Sequence, residues 1–204
     1  METLSGFRTI EKESFVELKE KGSRFLAFSF RISNEYDFKQ HLAALKSKFP
    51  EASHYCFAYC FGLNGKFKRD FDDGEPKNSA GKPILRQIQS FQLNEVAVVV
   101  VRFFGGTKLG IPGLIKSYGE AAKMVLLMSD SITIEYETTI LLSCDYQHEG
   151  LLYRITKQIQ GRIIESEMKK QLTLRIKLPL AQMAILQDLL KSNYQITLKS
   201  TEND

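Results

Sequence analysis

Residues 140–198 switch repeatedly between two hydrophobic periods, and this pattern restricts the fold more than any other feature of the chain. Apolar side chains recur at every second position in some segments, which predicts strands, and at helical spacing in others. The first helical segment ends near Gly161, which we expect to adopt the left-handed conformation that ends many helices. The predicted order is strand, helix, strand, strand, helix and strand, at residues 140–146, 151–159, 162–168, 172–178, 179–190 and 194–198, with Pro179 opening the second helix. Such a βαββαβ unit is a complete fold by itself.

The preceding part of the chain is also mixed. Asn34 is the expected N-cap of a helix, and the Asn64-Gly65 pair predicts a hairpin. Residues 96–104 form a continuous apolar run, which indicates a strand buried on both faces. The predicted strands lie at residues 15–18, 24–31, 54–61, 66–71 and 96–104, and the predicted helices at residues 35–49, 84–91 and 114–128.

These patterns predict an α+β protein of two domains, at residues 1–130 and 136–204, joined by a linker at about residues 129–136. With 43% hydrophobic and 25% charged residues, the chain has an ordinary globular composition, which argues against disorder. Neither a membrane-spanning apolar segment nor a secretory signal is recognisable, and three cysteines suit a reducing compartment. We therefore expect a cytoplasmic protein that does not contact a membrane.

The positive charge of the chain is unevenly distributed. Residues 1–130 carry 19 basic and 15 acidic side chains, whereas residues 131–204 carry 9 of each. Within residues 82–116, only Glu95 opposes a basic set that consists of Lys82, Arg86, Arg102, Lys108 and Lys116. A local positive field of this kind favours an anionic partner.

An unusual loop at residues 72–83, here called the acidic connector, begins with the sequence Asp-Asp-Gly-Glu-Pro. An EF-hand starting at Asp70 would need glycine at Glu75 and glutamate at Gly81, so calcium binding is not supported. One interpretation is a turn in which the carboxylates cap neighbouring backbone amides. The other is a functional loop whose carboxylates meet cations or basic groups.

A second unusual loop, the glycine connector at residues 102–113, follows the apolar run and precedes a helix. Backbone amides near glycine, a helix N-terminus, Arg102 and Lys108 would together favour a phosphate. The spacing of the glycines matches neither a dinucleotide-binding loop nor a Walker A loop. The alternative is that these glycines serve only tight turns and close packing.

His54 and Cys56 share one face of a predicted strand, but the sequence shows neither a zinc ligand pattern nor an orienting group for a nucleophile. A packed strand face is the better interpretation. We predict no catalytic residue, no metal site and no cofactor.

The motifs in these segments resemble those of the IMPACT family, in its bacterial two-domain YigZ type. The residues that carry the resemblance are Ser23-Arg24-Phe25, His54-x-Cys56, Asp72-Asp73-Gly74-Glu75-Pro76, Ala80-Gly81-x-Pro83, residues 99–106, Leu109-Gly110, Gly113-Leu114 and Tyr118. The resemblance implies a first domain like elongation factor G domain IV, with the ribosomal protein S five domain two-like fold, and a ferredoxin-like second domain like its domain V. Since both of those domains contact ribosomal RNA, it also implies an RNA or ribosome partner.

Three positions differ from the usual family pattern. Pro112 stands where relatives commonly have glycine, which removes one amide donor, and Phe103 and Phe104 stand where tyrosine is common.

Taken together, the residues and the resemblance predict a non-enzymatic protein that binds RNA or the ribosome and modulates translation. We expect the two connectors to meet in space and to form one polar recognition surface. The predicted nucleic-acid-binding residues are Arg24, Asp72, Asp73, Glu75, Lys82, Arg102, Gly105, Gly106, Lys108 and Gly110. One alternative is a metal-dependent hydrolase in which Asp72, Asp73 and Glu75 hold a divalent ion beside His54. Another is a regulator that binds a protein partner.

Overall fold

The computed structural model describes residues 6–202, which form two compact units, residues 7–133 and residues 134–202 with Gly6. The strands are β1 (Gly6–Ile10), β2 (Ser14–Glu20), β3 (Ser23–Arg31), β4 (His54–Phe61), β5 (Phe67–Phe71), β6 (Val96–Phe103), β7 (Ser131–Glu135), β8 (Glu137–Cys144), β9 (Arg162–Met168), β10 (Leu172–Pro179) and β11 (Thr197–Glu202). The helices are α1 (Glu35–Lys48), α2 (Gly81–Ser90), α3 (Gly110–Met128), α4 (Glu149–Gln158) and α5 (Met183–Ser192). The predicted α+β class is confirmed. None of the helices in this described range is long and apolar enough to cross a bilayer.

The first unit is built on a five-stranded antiparallel sheet with the order β2-β3-β6-β4-β5. Helices α2 and α3 cover one face, and α1 packs on the other. The central strand β6 contributes Val96, Val98 and Val100 to the first core and its alternate residues to the second. The apolar run is therefore buried on both faces, as predicted.

Two local predictions in this unit are confirmed. The Asn34 side chain accepts a hydrogen bond from the backbone N–H of Asp37 at 2.9 Å, so it caps α1. Asn64 and Gly65, which connect β4 to β5, have φ values of 56° and 61°. Both lie in the left-handed region that a tight hairpin requires at this pair.

Several element boundaries differ from the predictions. Helices α2 and α3 each begin earlier, at Gly81 and Gly110. Pro112 stands in the first turn of α3, where its missing N–H is not needed by the helix. The expected linker at residues 129–136 contains β7, which pairs with β1 in a separate two-stranded sheet. The boundary between the two units, at residues 133 and 134, lies within the predicted linker. The strand was not predicted, because a partner so distant in sequence leaves no local signal.

The second unit has the predicted βαββαβ order, with a sheet arranged β11-β8-β10-β9 and one core drawn from its strands and from α4 and α5. The left-handed residue after α4 is Gln160, with φ 56°, rather than Gly161. Gly161 is instead needed for space, because a Cβ there would lie 2.5 Å from Ile176.

Helix α5 begins at Met183 rather than at Pro179, because Pro179 ends β10 and a short 3-10 turn at Leu180–Gln182 precedes the helix. The last strand also begins later than predicted, since a turn closed by Ile196 N–H and the carbonyl of Asn193 precedes it.

Candidate functional site

The acidic connector lies along the beginning of β4. The Asp73 carboxylate accepts a hydrogen bond from the Tyr55 N–H at 2.7 Å, and its backbone carbonyl lies 2.8 Å from Nδ1 of His54. The Cys56 thiol donates to the carbonyl of Asp72 at 3.0 Å. Side chains of the His54-x-Cys56 motif therefore hold the connector in place, which is the packing role considered above.

Asp72 caps the N-terminus of α2 from eight residues upstream. Its Oδ1 accepts hydrogen bonds from the N–H groups of Ala80 and Gly81 at 3.0 and 2.9 Å, and its Oδ2 accepts from Asn78 at 2.8 Å. A carboxylate at this position satisfies donors that have no partner inside the helix and also opposes the helix dipole. This arrangement explains why α2 starts earlier than its own hydrophobic pattern indicates.

Glu75 forms a buried ion pair with Arg102, the first residue of the glycine connector. Their side chains are 4% and 5% exposed, and Oε1 of Glu75 lies 2.5 Å from Nη1 of Arg102. The Tyr118 hydroxyl donates to the same oxygen at 2.7 Å, and Nε2 of His54 lies 3.8 Å from it. Burial raises the pKa of the Tyr118 hydroxyl, so the group remains a proton donor.

Aromatic rings enclose the Arg102 guanidinium. Its central carbon lies 5.3 Å from the ring centre of Phe25 and 5.5 Å from that of Phe104, distances at which a cation is attracted to the ring. The Ser23 hydroxyl lies 3.4 Å from Nη2 and also accepts from the N–H of Gly105. The arginine therefore links the acidic connector, β3 and the glycine connector.

The glycines of the second connector have different roles. At Gly105 a Cβ would lie 1.9 Å from the carbonyl carbon of Gly22, so only glycine allows this backbone contact. Gly106 and Gly110 have φ values of 87° and 68°, in the left-handed region. No heavy atom lies within 4 Å of a Cβ placed on Gly106, so its constraint is conformational.

The two connectors meet around a cavity of about 400 Å³, here called the connector pocket. It is lined by Glu75, Pro76, Arg102, Phe104, Lys108, Leu109, Gly110, Ile111 and Leu114. Polar groups therefore lie beside a largely apolar wall. The expectation that the acidic and basic loops come together in space is confirmed.

The structure brings some of the predicted site residues together and separates others. Glu75, Arg102, Lys108 and Gly110 line the connector pocket, whereas Asp72 and Asp73 are engaged by backbone amides beside it. Nucleic-acid binding by these residues stays a prediction.

Four other predicted residues, Arg24, Lys82, Gly105 and Gly106, do not line the pocket. Arg24 is exposed on β3 and pairs with Glu17 at 2.7 Å. Lys82 is exposed at the start of α2.

The three carboxylates of the acidic connector are directed to different partners, since Asp72 and Asp73 bind backbone amides and Glu75 binds Arg102. Within residues 6–202, no cluster of three His, Cys, Asp or Glu side chains could hold a metal ion. Burial raises the pKa of the Cys56 thiol, which disfavours the nucleophilic thiolate. The geometry thus gives the metal-dependent hydrolase no support.

Comparison with known proteins identifies the family. Residues 21–126, which include both connectors and the pocket, match the model of the Impact N-terminal domain. The chain belongs to the IMPACT family. It is 31% identical over 166 residues to the IMPACT family member YigZ of Escherichia coli, covering 80% of this chain and 81% of that protein. It is 34% identical over 146 residues to an IMPACT family member of Haemophilus influenzae, covering 71% of each.

A solved structure, described only as that of a hypothetical protein, resembles this IMPACT chain over nearly its whole length. The TM-score is 0.73 at 28% identity, and the match covers 95% of this chain and 96% of the other. The fold is therefore shared by both units and extends beyond the segment that the family model matches.

Sequence reasoning missed several residues of the IMPACT site. Tyr118 belongs to the motif, but the sequence did not indicate that its hydroxyl binds Glu75. The signal was that a buried tyrosine hydroxyl usually has a hydrogen-bond partner. Leu109, Ile111 and Leu114 form apolar walls that no sequence motif indicates. Outside the pocket, Lys123 lies seven residues after Lys116, a helical spacing that predicts one shared face, and both side chains are exposed.

Proposed function

We propose that this IMPACT protein is a cytoplasmic RNA- or ribosome-binding protein that modulates translation, and that it binds through α2, α3 and the glycine connector. The observation that carries the proposal is the concentration of unpaired positive charge on this side of the first unit. Phosphate backbones attract such surfaces without regard to sequence.

The basic side chains concerned are exposed, and none has a carboxylate partner among residues 6–202. They are Lys82, Arg86, Lys108, Lys116 and Lys123. Helix α2 contains no acidic residue, and α3 contains only Glu120. Because no residue in the described part of the chain neutralises these charges, they remain available to an anionic partner.

The N-terminus of α3 adds to the same positive region. Its first turn contains no acidic residue and its N-cap residue, Leu109, provides no side-chain cap, so the first N–H groups have no partner within the helix. Pro112 removes one of these donors. The remaining donors suit a phosphate oxygen.

The buried pair of Glu75 and Arg102 has a supporting role in this proposal. Since the guanidinium is almost fully buried and already neutralised, direct phosphate contact would require breaking the pair. Arg102 instead positions the glycine connector, and Lys108 is the residue that reaches the RNA. Arg24 contributes its charge only where a phosphate competes with Glu17.

A relationship of the two units to domains of elongation factor G would also favour RNA as the partner. We regard the first unit as related to elongation factor G domain IV and the second as a ferredoxin-like domain related to domain V. The antiparallel sheet with helices on both faces and the βαββαβ order support this relationship. Fold likeness alone is weak support for function, so the charged surface carries the argument.

Filter binding of ribosomal RNA fragments at several salt concentrations tests the proposal. We expect affinity to fall steeply with salt. The double variant Lys108→Ala/Lys116→Ala should reduce the slope by about 0.7 for each single-strand phosphate that the protein no longer neutralises. Lys39→Ala, on α1 at the opposite face of the sheet, is the matched control and should leave the slope unchanged. Absent or salt-insensitive binding would overturn the proposal.

A further inference from the structure

We infer that the connector pocket binds a single nucleotide, with the base inside the cavity and the phosphate at its rim. This inference rests on the proposed function, because an unpaired RNA residue supplies such a nucleotide. A free ribonucleotide has the same chemistry, and the experiments below distinguish the two sources.

The walls of the pocket suit a flat apolar ligand. Phe104 is 48% exposed and Ile111 is 53% exposed, although both are large hydrophobic side chains. Pro76, Leu109 and Leu114 complete the apolar lining. A base that stacked on Phe104 would remove this surface from water, and base–aromatic stacking is the usual means of holding an unpaired nucleotide.

Polar groups that lack a full set of partners are found among the lining residues. Arg102, Tyr118 and His54 all approach Oε1 of Glu75, and no described residue donates to Oε2. Nε of Arg102 is buried without a hydrogen-bond partner in the described range. An acceptor and a donor without partners therefore belong to two residues that line the pocket and pair with each other. The edges of adenine, cytosine and guanine present amino donors next to ring or carbonyl acceptors, which match this pair.

The rim of the pocket provides the anion site. Lys108 and Gly110 both line the cavity, and Gly110 is the first residue of the 19-residue helix α3. Lys108 and the first turn of that helix therefore both border the apolar cavity. A phosphate attached to a base within the pocket would meet both.

Other anionic ligands use only part of this arrangement. A fatty acid would fill the apolar cavity and pair with Lys108, but it would leave Glu75 and Arg102 without new partners. A sugar phosphate would use the rim and leave Phe104 and Ile111 exposed. A nucleotide engages the walls, the polar pair and the rim together.

The absence of tryptophan from the sequence allows a direct test. Phe104→Trp introduces a single fluorophore into the pocket wall, and Ile111→Trp provides an independent reporter should the first variant fold poorly. Phe67→Trp is the matched control, because Phe67 lies in β5 and its exposure, 51%, is close to that of Phe104. We expect adenosine, cytidine and guanosine 5′-monophosphates to quench the pocket tryptophans but not the control, and ribose 5-phosphate to quench none.

Adding Lys108→Ala to Phe104→Trp should weaken mononucleotide binding by about tenfold, because the variant cannot form the charged hydrogen bond to phosphate. The matched second change is Lys39→Ala, on α1 at the opposite face of the sheet, which should leave the affinity unaltered. Equal affinities in the two backgrounds would overturn the placement of the phosphate.

The outcomes separate this inference from the proposed function. If single-stranded RNA is retained on filters but neither RNA nor mononucleotides quench the pocket tryptophans, the nucleotide site is wrong and RNA binding stands. If mononucleotides quench them and RNA does not bind, the pocket is a site for free nucleotides and the RNA proposal is wrong. Quenching by both supports a flipped RNA base.

Discussion

Glu75 and Arg102 illustrate how much depends on single residues in this protein. Each is a charged side chain with almost no exposed surface, and each is the other's neutralising partner. Removing one partner leaves the other charge buried without compensation. We expect Glu75→Gln to lower the free energy of unfolding by about 3–5 kcal/mol, measured by guanidinium denaturation.

The double variant Glu75→Gln/Arg102→Met is the control for this prediction. Because it removes both charges, it should cost less than the sum of the two single changes. Additive effects would show that the two side chains are not energetically coupled.

Gly105 and Gly106 are adjacent, yet the structure predicts different responses to substitution. In Gly105→Ala the new methyl group would meet the Gly22 backbone, and we expect a destabilisation of about 3 kcal/mol, at the upper end of overpacking effects. In Gly106→Ala the space is open, and only the left-handed backbone opposes the change, at about 1 kcal/mol. Urea unfolding of both variants measures the difference, and equal destabilisation would contradict it.

The cysteines provide a prediction about pH. Burial raises the pKa of Cys56 and Cys144, and it raises the pKa of Cys60 to about 11. The native protein should therefore not react with a thiol reagent at pH 8, whereas three thiols should react after unfolding. Rapid labelling of one cysteine in the native state would show that its site opens.

The same shifts determine how stability changes at high pH. An unfolded thiol ionises near pH 8.5, so above that pH the native state binds more protons than the unfolded state. Stability should therefore fall as the pH rises from about 8.5 toward 11, the pKa of Cys60. Cys60→Ala removes one of these groups and should give a shallower decline.

At the scale of elements, α2 depends on a residue outside itself. No residue at its own N-terminus caps the helix, and Asp72 supplies this function from the acidic connector. We expect Asp72→Ala to cost about 1–2 kcal/mol, as removal of a helix cap does. Asp188→Ala, which removes an exposed surface pair with Lys191, should cost less than about 1 kcal/mol in the same urea titration. Equal costs would argue against the cap.

Element types were predictable where the signal is local. The alternation in residues 172–178, the Asn34 cap and the Asn64-Gly65 turn each depend on neighbours a few positions away, and each appears in the structure. The pairing of β1 with β7 was not predictable, because hydrogen bonds between strands so far apart leave no periodic trace. The early start of α2 was missed because its cap, Asp72, lies outside the hydrophobic pattern of the helix itself.

At the scale of the whole molecule, the two units have separate cores. The core of the second unit draws only on residues between Ile140 and Leu198, and none of these belongs to either core of the first. We expect residues 134–204 expressed alone to retain a far-ultraviolet circular dichroism spectrum of mixed helix and strand and to unfold cooperatively on heating. A fragment that is unfolded without the rest of the chain would contradict this independence.

Hydrophobic periods, turn residues and the surplus of basic side chains were determined by the sequence alone, since each is a property of residues close together in the chain. The family motifs also indicated that the two connectors form the site. The tertiary structure decided which partner each charged side chain has. Arg102 pairs with Glu75 in the interior, and Lys108 stays at the surface. Arg102 and Lys108 carry the same charge in the sequence. Whether that charge is desolvated and neutralised depends on which distant segment packs against it, and only the folded chain brings those segments together.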